Sequence, residues 1–407
     1  MAVNVFKTLA PSHNGMNPRL DVYMDHGAAR PINPRVLETM TPYFTKSFGN
    51  PASFHTPGFE ALKALNGARE QVAYLIGAEA SEIVFTSCAT ESNNLGIVGT
   101  ATRYRKEGGR IVVSEIEHIS IMNICKELSR QGFEIKYSPV DREGIVDLGQ
   151  LKEIVDDKTV MVSIMAANGE IGTIQPIEEA AEIAHAHGAF LHTDATAAAG
   201  QVPLDTSTMK FDLMTLSSND LYGPKGVGAL YVKKGLRLKP YMIGGGQEGG
   251  LRSGSENIPG IVGMGKAAEL AMGEMEGESK RLTRLRDRLV RGITEAVPES
   301  YLNGHSTRRL PNNANIRFSY IEGESLILSL DQLGIRVSSG SACVAKTLEP
   351  SHVLRAIGLK HEEAHGSLVF TLGKSNREDD VEYVIQQMPE VVRRLRAMSP
   401  LTPEELR

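Results

Sequence analysis

The chain has 407 residues, 41% of them hydrophobic and 23% charged, with a formal charge of −5. This is an ordinary globular balance, long enough for two domains; it offers no basic footprint for nucleic acid, and no run approaches the roughly 18–20 apolar residues of a membrane span. Three cysteines, Cys88, Cys125 and Cys343, are too few and too scattered for a disulfide framework, so a reducing cytoplasm is the expected location.

Residues 1–20 carry Lys7, Ser12, His13, Asn14 and Pro18 where a signal peptide needs an unbroken apolar core; they read as a flexible leader. A helical pattern follows over Gly58–Ile76, then a short β-rich run at Glu82–Thr86. Ser87-Cys88-Ala89-Thr90-Glu91 comes next and opens a helix. Free backbone N–H groups and the helix dipole favour an anion there, while a plain N-cap by Ser87 or Thr90 explains the same residues. Further β-rich runs lie at Arg110–Ser114, Thr159–Met165, Ala189–Thr193, Leu213–Leu216 and Gly228–Val232, with helical patterns over Ile119–Gln131 and Ile177–His187. The alternation predicts a doubly wound α/β domain with a mostly parallel sheet. A long charged helix, about Ile261–Val297, leads to a smaller α/β unit containing Asn315–Ser319, Glu324–Leu333, Gly366–Leu372 and a terminal helix from about Arg377 to Met398. No repeat or low-complexity linker intervenes, so the two units are expected to be packed together. Cys88 and Cys125 read as small buried residues. Cys343 differs: it lies in the small, polar, glycine-containing stretch Val337–Lys346, which predicts a mobile surface loop.

The chain contains Phe-Gly-Asn-Pro-Ala-Ser-Phe-His (48–55), Ile-Val-Phe-Thr-Ser-Cys-Ala-Thr-Glu-Ser-Asn-Asn-Leu (83–95), Glu-Ile-Glu-His (115–118), His-Thr-Asp-Ala-Thr (192–196), Tyr-Gly-Pro-Lys-Gly (222–226), Leu-Arg-Ser-Gly-Ser (251–255) and Ser-Ser-Gly-Ser-Ala-Cys (338–343). In their joint order and spacing these segments resemble the NifS-like cysteine desulfurases of iron–sulfur cluster assembly. The resemblance runs from about Tyr23 to Leu401. It implies the fold type I architecture of pyridoxal-phosphate (PLP) transferases: a large, doubly wound, mixed but mostly parallel sheet domain over 34–275 and a smaller C-terminal α/β domain over 276–407. The latter would bear the Cys343 loop, with residues 21–33 packing against it. The strand after Gly226 is expected to run against its neighbours.

By the same resemblance, Ala89, Thr90, Ser217 and, from a dimer partner, Ser255 form a cup for the cofactor phosphate. His118 stacks on the pyridine ring, and Asp194 pairs with the ring nitrogen. Other positions depart from the family pattern. Ser217-Ser218-Asn219-Asp220 stands where the family has Ser-Gly-His-Lys, so Asp220 replaces the lysine that bonds covalently to the cofactor, and a carboxylate cannot form an imine. Gly169 takes the place of an asparagine that bonds the ring oxygen, Ala166 and Asn219 the places of histidines, and Ala197 that of a glutamine. Val369 stands where an arginine clamps the substrate carboxylate. Lys225 already belongs to the ordinary Tyr-Gly-Pro-Lys-Gly pattern and is not a substitute anchor. Asp220 also borders a space shared with Asp194; two carboxylates 4 Å apart repel by about 4 kcal/mol at an effective dielectric near 20.

Cys343 is retained, and in the family this cysteine carries sulfur as a persulfide. The expectation is therefore a homodimer that binds no covalent PLP, has lost desulfuration and docks a U-type scaffold protein. Cys343 would serve as sulfur acceptor or as a ligand to a shared [2Fe–2S] cluster. The alternatives are an active PLP-dependent desulfurase and a regulatory subunit of an active relative. No membrane or nucleic-acid partner is expected.

Overall fold

The computed structural model describes residues 21–105, 107–340 and 350–406. Its main sheet has seven strands: β2 (Ile83–Thr86), β3 (Arg110–Ser114), β4 (Glu134–Ser138), β5 (Thr159–Ser163), β6 (Phe190–Asp194), β7 (Leu213–Ser217) and β8 (Gly228–Val232). They lie in the order β2-β8-β7-β6-β5-β3-β4. β8 is antiparallel to both of its neighbours, and the other pairings are parallel. Apolar residues on the inner strands alternate between two cores because successive strand side chains point to opposite faces. Val112, Val162 and Met214 enter one core, with Ala61, Leu65 and Ala68 of helix Thr56–Leu75 and Ala180 and Ala184 of helix Ile177–Ala186. Ile111, Val113, Met161 and Leu213 enter the other, with Leu95 and Ile97 of helix Ala89–Arg103 and Ile121 and Leu128 of helix Ile119–Arg130. Both faces are thus covered by helices, as a mostly parallel sheet requires.

A smaller antiparallel sheet, in the order β12-β10-β9, comprises β9 (Ser300–Asn303), β10 (Asn313–Phe318) and β12 (Ser367–Thr371). The two-residue strands β1 (Val22–Tyr23) and β11 (Ile335–Arg336) pair in parallel, and Val22 enters the small core with Ile335 and Leu368. The chain's described start is therefore stitched to the smaller domain. Helix Glu378–Met398 supplies Val381, Val384, Met388 and Val391 to that core.

Helix Ile258–Ala296 joins the two. Ile261, Val262, Met264 and Ala268 lie in the large core, and Leu282, Leu285, Leu289 and Ile293 in the small one. No helix among the described residues is long and apolar enough to cross a membrane.

Candidate active site

The carboxyl ends of β2, β6 and β7 and the loop after β5 deliver the candidate residues to one cleft. Ligands of doubly wound sheets bind at such carboxyl ends. Asp194 ends β6 and is buried. Asn93 Nδ2 donates to its Oδ2 at 2.8 Å, and the Thr196 backbone N–H donates to its Oδ1 at 3.0 Å. Asn93 Nδ2 also lies 3.1 Å from Ser120 Oγ, which is 2.8 Å from His118 Nδ1. A hydrogen-bonded chain thus joins His118 to Asp194. His118 itself is exposed and accepts the Ser120 backbone N–H as the N-cap of helix Ile119–Arg130.

Ala89 and Thr90 begin helix Ala89–Arg103 behind Cys88, which is the N-cap and makes no side-chain cap bond. Neither Ser87 nor Thr90 is the N-cap, so the simple capping explanation of this stretch does not hold. The expectation of a buried Cys88 also fails: it is exposed, because an N-cap position faces out of the helix start. Cys125 is buried, and burial pushes its thiol up to about 12. Ser217 is buried at the end of β7, whereas Ser255 is exposed in the segment whose Arg252 reaches Glu91 Oε1 at 3.0 Å.

Asp220 follows β7 in the short turn Asn219–Leu221 and is buried. Burial pushes its pKa up. The Arg30 guanidinium and hydrogen bonds to Ser217 and Asn219 oppose the rise, and the neighbouring charge of Asp194 adds to it. Arg30, buried itself, donates through Nη1 to the Asp220 carbonyl and through Nε to His26 O. Its guanidinium also lies over the Tyr222 ring, 5.2 Å from the centroid. Lys225 is exposed, with Nζ 3.4 Å from Arg30 O.

The other substituted positions are small or apolar in space as in sequence. A Cβ built on Gly169 would stand 3.5 Å from Ala197 Cβ, so the two truncated positions face each other. Gly169 O accepts from Asn313 Nδ2 at 2.8 Å. Val369 is buried on β12 opposite Asn315, and its backbone exchanges hydrogen bonds with Ser338. Cys343 lies outside the described residues, as does most of the polar stretch around it.

Besides Arg30, sequence reading missed three further charged groups. Glu117, one residue before His118, is fully buried and pushed up to about 8, first by burial, with Asp194 adding to the rise. Its Oε1 accepts from Ser114 Oγ at 2.6 Å and from Met165 N at 2.8 Å. Glu170 is pushed up to about 7 by burial, and its Oε2 accepts from Ser351 Oγ at 2.8 Å. Gly340 lies against the same carboxyl: a Cβ there would approach Glu170 Cγ to 2.6 Å. Glu170 therefore touches both described flanks of the Cys343 stretch. Arg309 is buried, and burial pulls its pKa down to about 9. It donates to the carbonyls of Ile171, Asn303, His305 and Asn313, riveting the 168–172 turn to the smaller domain. Glu117 lies inside the matched Glu-Ile-Glu-His motif and Glu170 adjoins the substituted Gly169, which were the available signals; nothing local marked Arg30 or Arg309.

The class-V aminotransferase family pattern matches residues 22–384. The protein named cysteine desulfurase IscS 1 from Archaeoglobus fulgidus is 54% identical over 379 residues, covering 93% of this chain and 99% of that protein. Cysteine desulfurase IscS of Methanosarcina thermophila is 50% identical over 386 residues, covering 95% of each. A solved NifS-like protein superposes with a TM-score of 0.86 at 38% identity, over 92% of this chain and 99% of its own. The NifS-like protein of Rickettsia africae superposes with a TM-score of 0.82 at 30% identity, over 91% of this chain and 99% of its own. The chain belongs to the class-V aminotransferase family and, within it, to the NifS/IscS-like cysteine desulfurases, a PLP-dependent group of iron–sulfur cluster assembly.

Proposed function

We propose that this chain is a desulfurase-like assembly protein that has lost PLP-dependent desulfuration. It acts as a homodimer, docks a U-type iron–sulfur scaffold and offers Cys343 as sulfur acceptor or as a thiolate ligand to a [2Fe–2S] cluster carried as cargo. The observation that carries the reading is Asp220, a buried carboxyl where the family pattern calls for an amine, with the Arg30 guanidinium nearby and hydrogen-bonded to the Asp220 backbone carbonyl. These residues do not fit a covalently held pyridoxal group. The aldehyde finds no amine at the end of β7, and Lys225 is engaged with Arg30 O. Gly169 and Val369 supply no side-chain donor to a ring oxygen or a substrate carboxylate. Where Cys343 is a cluster ligand the cluster's sulfur comes as sulfide; where it is the acceptor, its thiolate takes the outer, sulfane sulfur of a donor persulfide, and the donor leaves as its thiolate.

Exposed apolar side chains support the homodimer. Phe44, Phe48, Phe54 and Phe59 are 60%, 74%, 94% and 57% exposed, and Ile243 is 86% exposed. A monomer in water rarely leaves so many large apolar groups uncovered. Ser255 would then be donated across the interface.

A second reading, an active desulfurase holding PLP without a covalent bond, is favoured by the His118–Ser120–Asn93–Asp194 chain and the uncapped helix start at Ala89. Purification with PLP supplied, followed by borohydride trapping and an assay for alanine and sulfide from cysteine, separates the two. Absence of both signals is expected; turnover abolished by Cys343→Ala overturns the proposal. Docking is tested separately by anaerobic reconstitution with scaffold, iron and sulfide.

A further inference from the structure

Residues 361–365 read His-Glu-Glu-Ala-His and lie outside the cleft. Two histidines four apart on a helical turn share a face, the spacing with which helices chelate a metal. In helix His361–His365 the two imidazole centroids are 4.5 Å apart with 50° between the ring planes. Two imidazole nitrogens bound about 2.0–2.1 Å from one zinc ion place the ring centres about 5 Å apart, so the separation of this pair is compatible with a chelate.

A third donor stands beside them. Glu322 Oε2 is 3.8 Å from His365 Nδ1. Neighbouring ligands of a tetrahedral zinc are about 3.3 Å apart, so closure requires a shift of about half an ångström. The Glu322 side chain is 69% exposed and has room to swing. The backbone fixes the approach. Glu322 is the N-cap of helix Gly323–Asp331, and a Cβ on Gly323 would stand only 2.8 Å from His365 O. A Cβ on Gly366 would meet Phe318 O at 2.3 Å. Glycine at both points lets the two segments touch, so the main chain brings Glu322 and His365 side by side.

We propose that His361, His365 and Glu322 form a surface site for a divalent transition ion of the zinc class, with water in the fourth position. As the side chains stand, no group of three or more histidine, cysteine or acidic residues among the described residues is placed to hold a metal ion; the proposed site forms only when Glu322 swings in. Hydrolysis is not part of the proposal: the helix is a single turn, and Glu362 is exposed on it. The ion instead ties the turn feeding β12 to the helix that follows β10. The inference does not depend on Cys343 or on sulfur chemistry.

Calorimetric titration of the full chain with zinc chloride at pH 7.5, with a non-chelating reductant, provides the test. Wild type, His361→Ala and Glu322→Gln share the same thiols, so zinc uptake by thiols cancels in comparing those three. Wild type is expected to bind one more equivalent than His361→Ala. Glu322→Gln should weaken that equivalent by about tenfold, and lowering the pH to 5.5 should abolish it, because protons compete for the imidazole nitrogens. His361→Cys, which keeps a ligand, should retain the equivalent. Zinc should also raise the melting temperature of wild type by more than that of His361→Ala. Equal stoichiometry and affinity in wild type and His361→Ala overturns the site, and unchanged affinity in Glu322→Gln overturns the three-ligand form. His361 is exposed, so its replacement should leave the metal-free circular dichroism unchanged.

Discussion

Replacing Glu117 by Gln tests the electrostatics of the cleft directly. Glu117 is fully buried and carries a native pKa of about 8 against an ordinary 4.5. Below pH 4.5 both folded and unfolded chains hold its proton, and ionisation costs nothing. Between 4.5 and 8 the unfolded chain releases the proton and the native chain keeps it, so rising pH favours unfolding by about 1.4 kcal/mol per unit. The loss is complete near pH 8, at about 5 kcal/mol. Glutamine mimics the protonated acid: its oxygen can accept from Ser114 Oγ and Met165 N as Glu117 Oε1 does, and it never ionises. Urea denaturation of both proteins at half-unit steps from pH 5 to 8.5 isolates this group, because all other titrations are shared. The stability of Glu117→Gln relative to wild type should climb steadily with pH and then level off. Parallel curves would refute the assignment of a buried, protonated acid beside Asp194.

Arg30→Met should destabilise the fold by about 1–3 kcal/mol, because the buried carbonyls of His26 and Asp220 lose their donor; adding Asp220→Asn should restore part of that loss in thermal melts if the guanidinium also acts on the Asp220 carboxyl, and strict additivity would show that the two side chains do not interact. Asp220→Lys should yield borohydride-trappable PLP where wild type yields none, yet little turnover, since Gly169 and Val369 are unchanged; robust alanine production by this single variant would mean that those positions are not limiting. Cys343→Ser should dock the scaffold as wild type does while holding the reconstituted cluster for a shorter time; equal lifetimes would remove Cys343 from ligation. Sedimentation at micromolar concentration should give a dimer, and a monomer would leave the exposed Phe44, Phe48, Phe54 and Phe59 without an occupant.

The inner strands were legible because each is a short apolar run bounded by turns; Gly228–Val232 falls where the sequence placed it, and it runs antiparallel as the resemblance implied. β4 was invisible for a physical reason. It is the sheet's edge, and its exposed Glu134 and Lys136 suppress the apolar signal while discouraging edge pairing. β1 and β11 are two residues each and exist because each pairs with the other, which no local pattern reveals. Asp194, Ser217 and Asp220 could be named from motifs because strand ends deliver them together. Arg30 could not, since its partners His26 and Asp220 are brought to it only by the fold. Cys88 shows the limit of composition: its small apolar character suggested burial, but its place at a helix start decided otherwise.

Helix Ile258–Ala296 carries a geometric constraint that neither core imposes alone. Its buried residues stop at Ala268 and resume at Leu282, so the intervening thirteen positions act as a strut about 20 Å long. Each residue of that strut advances the helix by about 100°. Deleting one would swing Leu282, Leu285, Leu289 and Ile293 off the smaller domain or rotate that domain bodily, carrying Glu170's contacts at Gly340 and Ser351 out of register. Removing a whole turn would nearly preserve phase while shortening the span. The angular alignment of the two halves, and with it the seating of Gly340 and Ser351 against Glu170, is therefore encoded in a residue count.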